Sequence, residues 1–204
     1  MKIIDISMEI KENMLTYPNN PKPMIKRYAT IPTNRTNESI ISIGSHSGTH
    51  IDSRLHIKNW GDASDELPLD SFYGESRILD LTDVGNEIHR EHLESFDIKA
   101  GEIILLKTEN SRHQYNKFRR NFAHLKYDGA KHLLRKKIKT LGVDYLSVKK
   151  FGGDAEVHEI LINNLTLFEG LYLKDVEAGS YIFIGLPLKI KCDGAPARVI
   201  LVKN

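Results

Sequence analysis

Ser45-His46-Ser47-Gly48-Thr49-His50-Ile51-Asp52-Ser53-Arg54-Leu55-His56 is the stretch on which the reading of this chain turns. From His46 to His56 it sets three imidazoles and one carboxylate within eleven residues. Neutral imidazole nitrogens and carboxylate oxygens are the donors that divalent zinc and manganese take. His46, His50 and Asp52 are therefore candidate ligands, and His56 is a candidate to move protons for an activated water. The stretch reads as a hydrolytic metal site. A polar loop whose histidines bond only to the backbone is the plain alternative.

The flanking residues suggest how the cluster is presented. Ser39-Ile40-Ile41-Ser42-Ile43 is rich in β-branched residues and is predicted to be a strand running into it. In an extended segment side chains two apart share a face, so His50, Asp52, Arg54 and His56 are expected on one side. Gly48 is expected to mark a bulge or tight bend that re-aims His46. A helix would also bring His46 and His50 together, but Gly44, Gly48, Thr49 and the serines disfavour one.

Whole-chain properties fit a compact enzyme. At 204 residues the chain suits one domain over 1–204 with a sizeable core. Its 40% hydrophobic and 27% charged content are ordinary, and a formal charge of +2 gives no strong bias toward nucleic acid or membrane. Cys192 is the single cysteine, which excludes an intramolecular disulfide framework and suits a reducing compartment. Residues 1–7 contain no long apolar run of the secretory type, and no apolar run approaches spanning length, so a cytoplasmic location is expected.

Short apolar runs alternate with a few helical patterns. Strands are predicted at Lys2–Ile6, Ser39–Ile43, Arg77–Leu81, Ile103–Lys107, Tyr145–Val148, Tyr181–Leu186 and Arg198–Val202. Several are almost continuously apolar, as in a sheet covered on both faces. The clearest helix is predicted to start at Asp128, carry Leu133, Leu134, Ile138 and Leu141 on one face, and stop at Gly142. Shorter helices are expected around Asn86–Phe96 and Glu156–Asn163. The sum is an α/β or α+β chain in one domain.

Two distant residues are candidates to complete the site. His158 lies in the short third helix, and Glu169 sits inside the apolar run Leu165–Leu171. A carboxylate buried there without a partner would cost several kcal/mol, and a cation would remove that cost. On the residues alone, His158 is more often a surface helix histidine, and Glu169 could as well pair with an arginine.

The run His46-Ser47-Gly48-Thr49-His50-Ile51-Asp52, followed by His56, resembles the signature of the metal-dependent cyclase family, which includes bacterial kynurenine formamidases and isatin hydrolases. The likeness extends nearly end to end. Asp5-Ile6-Ser7 with Tyr17-Pro18 resembles the family's opening, and Glu66-Leu67-Pro68-Leu69 with Ser76–Leu81 resembles the segment after its metal motif. Val143–Val148, His158, Glu169, Gly185-Leu186-Pro187-Leu188 and Gly194–Arg198 resemble its second half.

That resemblance implies a single-domain α/β chain of the swivelling β/β/α type with a mixed central sheet. It implies Zn2+ or Mn2+, one or two ions per chain, with His46, His50 and Asp52 on one ion and His158 and Glu169 on the other. Asp52 or Glu169 would bridge them, and His56 falls at the catalytic position. The implied reaction is hydrolysis of an aryl formamide such as N-formylkynurenine by metal-activated water, with His56 as general acid and base. Ring opening of a cyclic amide such as isatin is the alternative. A homodimer or higher homo-oligomer is the implied assembly, and a small-molecule amide the implied partner.

Two departures bear on substrate. Arg54 stands where the family usually has proline, bringing a permanent charge and five donors. It would grip a substrate carboxylate if it faced the site, and merely meet solvent if it did not. Asn19-Asn20 replaces a Gly-Asp pair common in the family. Tyr17, Trp60, Phe72 and Tyr73 are candidates to stack on an aromatic substrate, Trp60 foremost as the sole tryptophan four residues after His56.

A different class of function is nucleic-acid binding. Residues 112–139 hold ten Lys/Arg and one acid, Asp128, and such a patch neutralises phosphates. No nucleic-acid motif accompanies it, so no nucleic-acid or membrane partner is expected. A family member that keeps metal but has lost catalysis is the third reading.

Overall fold

The computed structural model describes residues 1–113 and 115–203. In chain order the elements are β1 (Lys2–Asp5), β2 (Met24–Ala29), β3 (Glu38–Ser42), β4 (His50–Asp52), β5 (Tyr73–Leu81), β6 (Glu87–Ile88), α1 (Arg90–Glu94), β7 (Ile103–Thr108), β8 (His124–Leu125) and α2 (Tyr127–Arg135). They continue as β9 (Thr140–Val143), α3 (Glu156–Ile162), β10 (Thr166–Glu169), β11 (Gly179–Pro187) and β12 (Gly194–Lys203).

Eight strands form one mixed sheet in the order β1-β12-β11-β5-β7-β9-β10-β4. Strand β12 pairs with β4 as well as with β1 and β11, because its ten residues span all three registers. That extra pairing closes seven strands into a barrel. Pairs β5–β7, β7–β9 and β9–β10 are parallel, and the rest of the ring is antiparallel.

Side-chain alternation along the strands divides the core in two. Ile103 and Leu105 of β7 point into the barrel with Ile51, Ile78, Phe168, Phe183, Val199 and Leu201. Ile104 and Leu106 point outward, where Leu93 of α1, Leu133 of α2 and Leu161 of α3 cover them. Strands buried on both faces read as continuous apolar runs, which explains why β7 was legible from its sequence. The expected α/β architecture with a mixed sheet is the one observed.

Several boundaries differ from the sequence expectation. Tyr145–Val148 is not a strand; the strand is Thr140–Val143, and the chain then turns over buried Asp144. That carboxylate accepts hydrogen bonds from Thr108 N, Thr108 Oγ1 and Ser111 Oγ at 2.7, 2.7 and 2.5 Å. Helix α2 ends at Arg135 rather than near Leu141, because Lys137 takes a left-handed φ of 57° just past the end. Leu141 and Gly142 belong to β9. Asp128 lies inside the first turn of α2, and its carboxylate accepts from Arg90 N at 3.1 Å at the start of α1. The segment 86–96 contains the two-residue strand β6, and only Arg90–Glu94 is helical.

Strands β2 and β3 form a separate two-stranded ribbon beside the barrel. Among the described residues no helix is long and apolar enough to cross a membrane.

Candidate metal centre

Strand alternation places the centre. Ile51 of β4 and Phe168 of β10 point into the barrel, so their neighbours point the other way. In the antiparallel register Glu169 stands opposite His50, and Leu167 opposite Asp52. His50, Asp52 and Glu169 thus emerge on the face that α3 covers, and α3 delivers His158 onto it. All four are buried.

Asp52 is the hub. His46 Nδ1 lies 2.7 Å from its Oδ1, and His158 Nε2 lies 2.7 Å from its Oδ2. His50 Nε2 is 3.4 Å from Asp52 Oδ1 and 3.8 Å from Glu169 Oε2. His158 Nε2 is 4.0 Å from Glu169 Oε1. Two ligand groups share Asp52: His46 with His50, and His158 with Glu169, each group's donor atoms lying within 4.8 Å of one another.

Backbone contacts orient these side chains. The Nδ1 of His50 lies 2.9 Å from Gly48 O. A carbonyl only accepts, so Nδ1 carries the hydrogen and Nε2 presents its lone pair to the carboxylates. Glu169 Oε1 accepts from Val148 N at 2.7 Å. Gly48, at φ 65°, makes the bend that returns His46 toward Asp52. Gly194 lets β12 pass close by, since a Cβ there would stand 2.6 Å from His46 Cε1.

The electrostatics set the two carboxyl groups of the cluster apart. Burial, together with the charge of Asp52, pushes the Glu169 carboxyl well above the usual range. Burial opposes ionisation of Asp52 too, yet hydrogen bonds from His158 and His46 hold its carboxyl well below that range. Burial also disfavours a charge on His46, but Asp52 and Asp193 outweigh it and raise the imidazole to about 9. Two buried carboxylates and three imidazole nitrogens converging at these distances fit a divalent ion in donor type and in charge.

His56 stands at the edge of this group. Its ring centroid is 4.2 Å from that of His46 and 5.5 Å from that of His158. Burial, helped by the neighbouring His46 and His158 charges, lowers its basicity against the opposing pull of Asp52. A hollow of about 340 Å³ opens over the centre, lined by the six residues just described and by Tyr17, Asn20, Leu146, Ser147 and Lys149.

The residues read from the sequence therefore divide. His46, His50, Asp52, His56, His158, Glu169 and Tyr17 meet at one hollow. Arg54 and Trp60 do not line it. The extended run expected after Asp52 stops at Ser53, where a single 3-10 turn over Arg54–His56 breaks the alternation. His56 swings back to the centre, while the Arg54 guanidinium turns outward to Asp62 Oδ2 at 2.7 Å and Asn163 O at 3.1 Å. Trp60 is 82% exposed with Lys58 over its ring. Phe72 packs inside the barrel, and Tyr73 is exposed and absent from the lining.

Asp193 and Lys149 escaped the sequence reading. Asp193 Oδ2 lies 2.8 Å from His46 Nε2 and 3.5 Å from His56 Nδ1. Its one signal was its place directly before Gly194-Ala195-Pro196. The basic residues of 112–139 are spread over several partners: Arg112 pairs with Asp83, Arg119 with Glu109 and Lys126 with Glu87.

Residues 4–150 match the Cyclase family. The chain is 31% identical to a kynurenine formamidase of Salinibacter ruber, over 98% of this chain and 97% of the relative. It is 30% identical to a kynurenine formamidase of Bacillus cereus, over 97% and 96%. Among solved structures it is similar to one described as a potential metal-dependent hydrolase with cyclase activity, with TM-score 0.87, 35% identity and coverage of 98% and 96%. Isatin hydrolase A of Labrenzia aggregata superposes with TM-score 0.85 at 20% identity, covering 100% and 94%, a likeness of fold.

Proposed function

The chain belongs to the Cyclase family, and from that membership we propose that it is a metal-dependent amidohydrolase that cleaves an aryl formamide of the N-formylkynurenine kind. The observation that carries this reading is the sharing of Asp52 by two ligand groups, His46 with His50 and His158 with Glu169. Those residues would hold two ions, zinc or manganese. A divalent ion held there supplies Lewis acidity and makes water acidic enough to yield a nucleophile near neutral pH.

The chain's own residues then divide the remaining work. Tyr17 and Leu146 offer apolar surface for the aryl ring on the wall of the hollow. Burial lowers the basicity of His56 and so favours the neutral form that accepts a proton. The imidazole takes one from the attacking water and returns it to the nitrogen as the C–N bond breaks, so formate and an arylamine leave. Asp193, 3.5 Å from His56 Nδ1, orients that ring.

The same centre makes a sharp demand of one variant. His56→Ala should keep its metal, because the five ligands remain, yet lose about 10²- to 10⁴-fold in turnover of N-formylkynurenine. Full activity in that variant would overturn the role of His56. Loss of metal from it would overturn the separation of ligands from acid–base group.

We assign the β2–β3 ribbon to self-association into a homo-oligomer. Ile25, Tyr28, Ile40 and Ile41 are all exposed on it. Isolated two-stranded ribbons are marginal in water, and an exposed apolar one gains by burial against a second copy. Sedimentation of the native chain and of Ile41→Lys tests this: a native monomer would overturn it.

A further inference from the structure

We propose that Lys149 reads a carboxylate on the substrate, and so selects aryl formamides that carry a carboxylate over those that lack one. The inference rests on the formamidase reading above and names the group that its substrate must carry. Remove from the lining of the hollow the five proposed metal ligands and His56, and five residues remain to meet the substrate: Tyr17, Asn20, Leu146, Ser147 and Lys149. Two are apolar or aromatic, two are neutral and polar, and Lys149 alone carries a fixed charge.

That charge is available. The Lys149 ammonium donates to Gly153 O at 3.0 Å, and among the described residues no carboxylate stands within ion-pair distance of it. An ammonium at the rim of a cation-binding centre adds to a positive field, which draws anions and repels cations. Arg54, the other cation near the motif, is taken up by Asp62 and turned from the hollow. The task that the sequence offered to arginine falls to lysine.

Lys149 also borders a second hollow of about 140 Å³. That space is lined as well by Lys126, Lys150 and the buried His124, whose Nε2 has no hydrogen-bond partner among the described residues. Asp154 and Glu156 line it with the opposite sign. A ligand reaching outward from the metal centre over Lys149 therefore enters a space that presents both charges, as an α-amino-acid tail requires.

The test compares N-formylkynurenine with its decarboxylated analogue, N-formylkynuramine, on native protein, Lys149→Met and Lys149→Arg. A charge-assisted hydrogen bond of ordinary strength predicts that Lys149→Met loses about 10- to 100-fold in kcat/KM for the carboxylate substrate, mainly through KM. The decarboxylated substrate, whose tail keeps only an ammonium, should not lose activity in Lys149→Met, and Lys149→Arg should restore the preference. Equal selectivity in native and Lys149→Met protein overturns the proposal. Calorimetric titration of the metal-loaded proteins with kynurenine and kynuramine supplies a readout that does not need turnover. Weaker binding of kynurenine alone in Lys149→Met supports the assignment, whereas equal binding, or none by native protein, overturns it. Native protein that binds kynurenine through Lys149 but hydrolyses neither formamide would instead sink the formamidase reading.

Discussion

His158 Nε2 stands 2.7 Å from Asp52 Oδ2 across a separation of 106 residues. A short helix and a three-residue strand that meet only in the folded chain thus share one carboxylate. With His46 on the other oxygen of that carboxylate, Asp52 joins two ligand groups that are distant in sequence.

Asp52→Asn keeps the size of the hub and removes its charge. Metal content after dialysis should fall from two ions per chain toward none, and N-formylkynurenine turnover should fall by at least about a hundredfold, the upper end of what outer-shell losses cost. Glu169→Gln should give up one ion and keep the other. Atomic absorption on the two variants, beside native protein, checks both.

Asp193 faces the nitrogen of His46 that points away from Asp52. A carboxylate in that place holds the ring and raises its basicity as a ligand, so Asp193→Asn should weaken metal affinity by about 10- to 100-fold with the fold intact. Competition with a chromophoric chelator measures this. An unchanged affinity would overturn the support that Asp193 gives to His46 as a ligand.

His46 gives the metal-free protein a pH signature. Its imidazole rises from 6.5 to about 9 in the folded state, so its contribution to stability is fully present below about pH 6.5 and is lost as pH climbs through 9. At about 1.4 kcal/mol for each tenfold change in the proton constant, the contribution is on the order of 3 kcal/mol. Urea midpoints of metal-free native protein and His46→Gln at pH 6 and pH 10 should therefore converge at the higher pH. Metal competes with the proton for the same imidazole, so loading should shrink the difference.

Asp144 sits at the turn after β9, away from the proposed chemistry, and accepts from Thr108 and Ser111. Asp144→Ala strands those buried donors and should cost about 2–4 kcal/mol in stability, read from urea unfolding, with an unaltered metal count in the folded fraction.

The legible part of the site is the part written locally. His46, His50, Asp52 and His56 lie within one short stretch, and two-residue alternation explains why His50 and Asp52 share a face. It also explains the misreading of Arg54, since the 3-10 turn after Ser53 breaks the alternation without a proline or glycine to announce it. Glu169 was visible as a charge in an apolar run. Its pairing opposite His50 was not, because strand order is a long-range property. Barrel closure through β12 and β4 was hidden for the same reason. Tyr145–Val148 imitated a strand because its apolar residues fill a buried turn rather than a sheet. Asp193 and Lys149 are single charged residues in loops, and only the folded chain brings Lys149 to the hollow and Asp193 to His46 and His56.

The most direct measurement is a titration of metal-free protein with zinc, and separately with manganese, following formate released from N-formylkynurenine. Formate should not be released without metal, release should rise and saturate near two ions per chain, and Asp52→Asn should not respond. Release that is independent of metal, or a full response in Asp52→Asn, would contradict metal-dependent hydrolysis through Asp52.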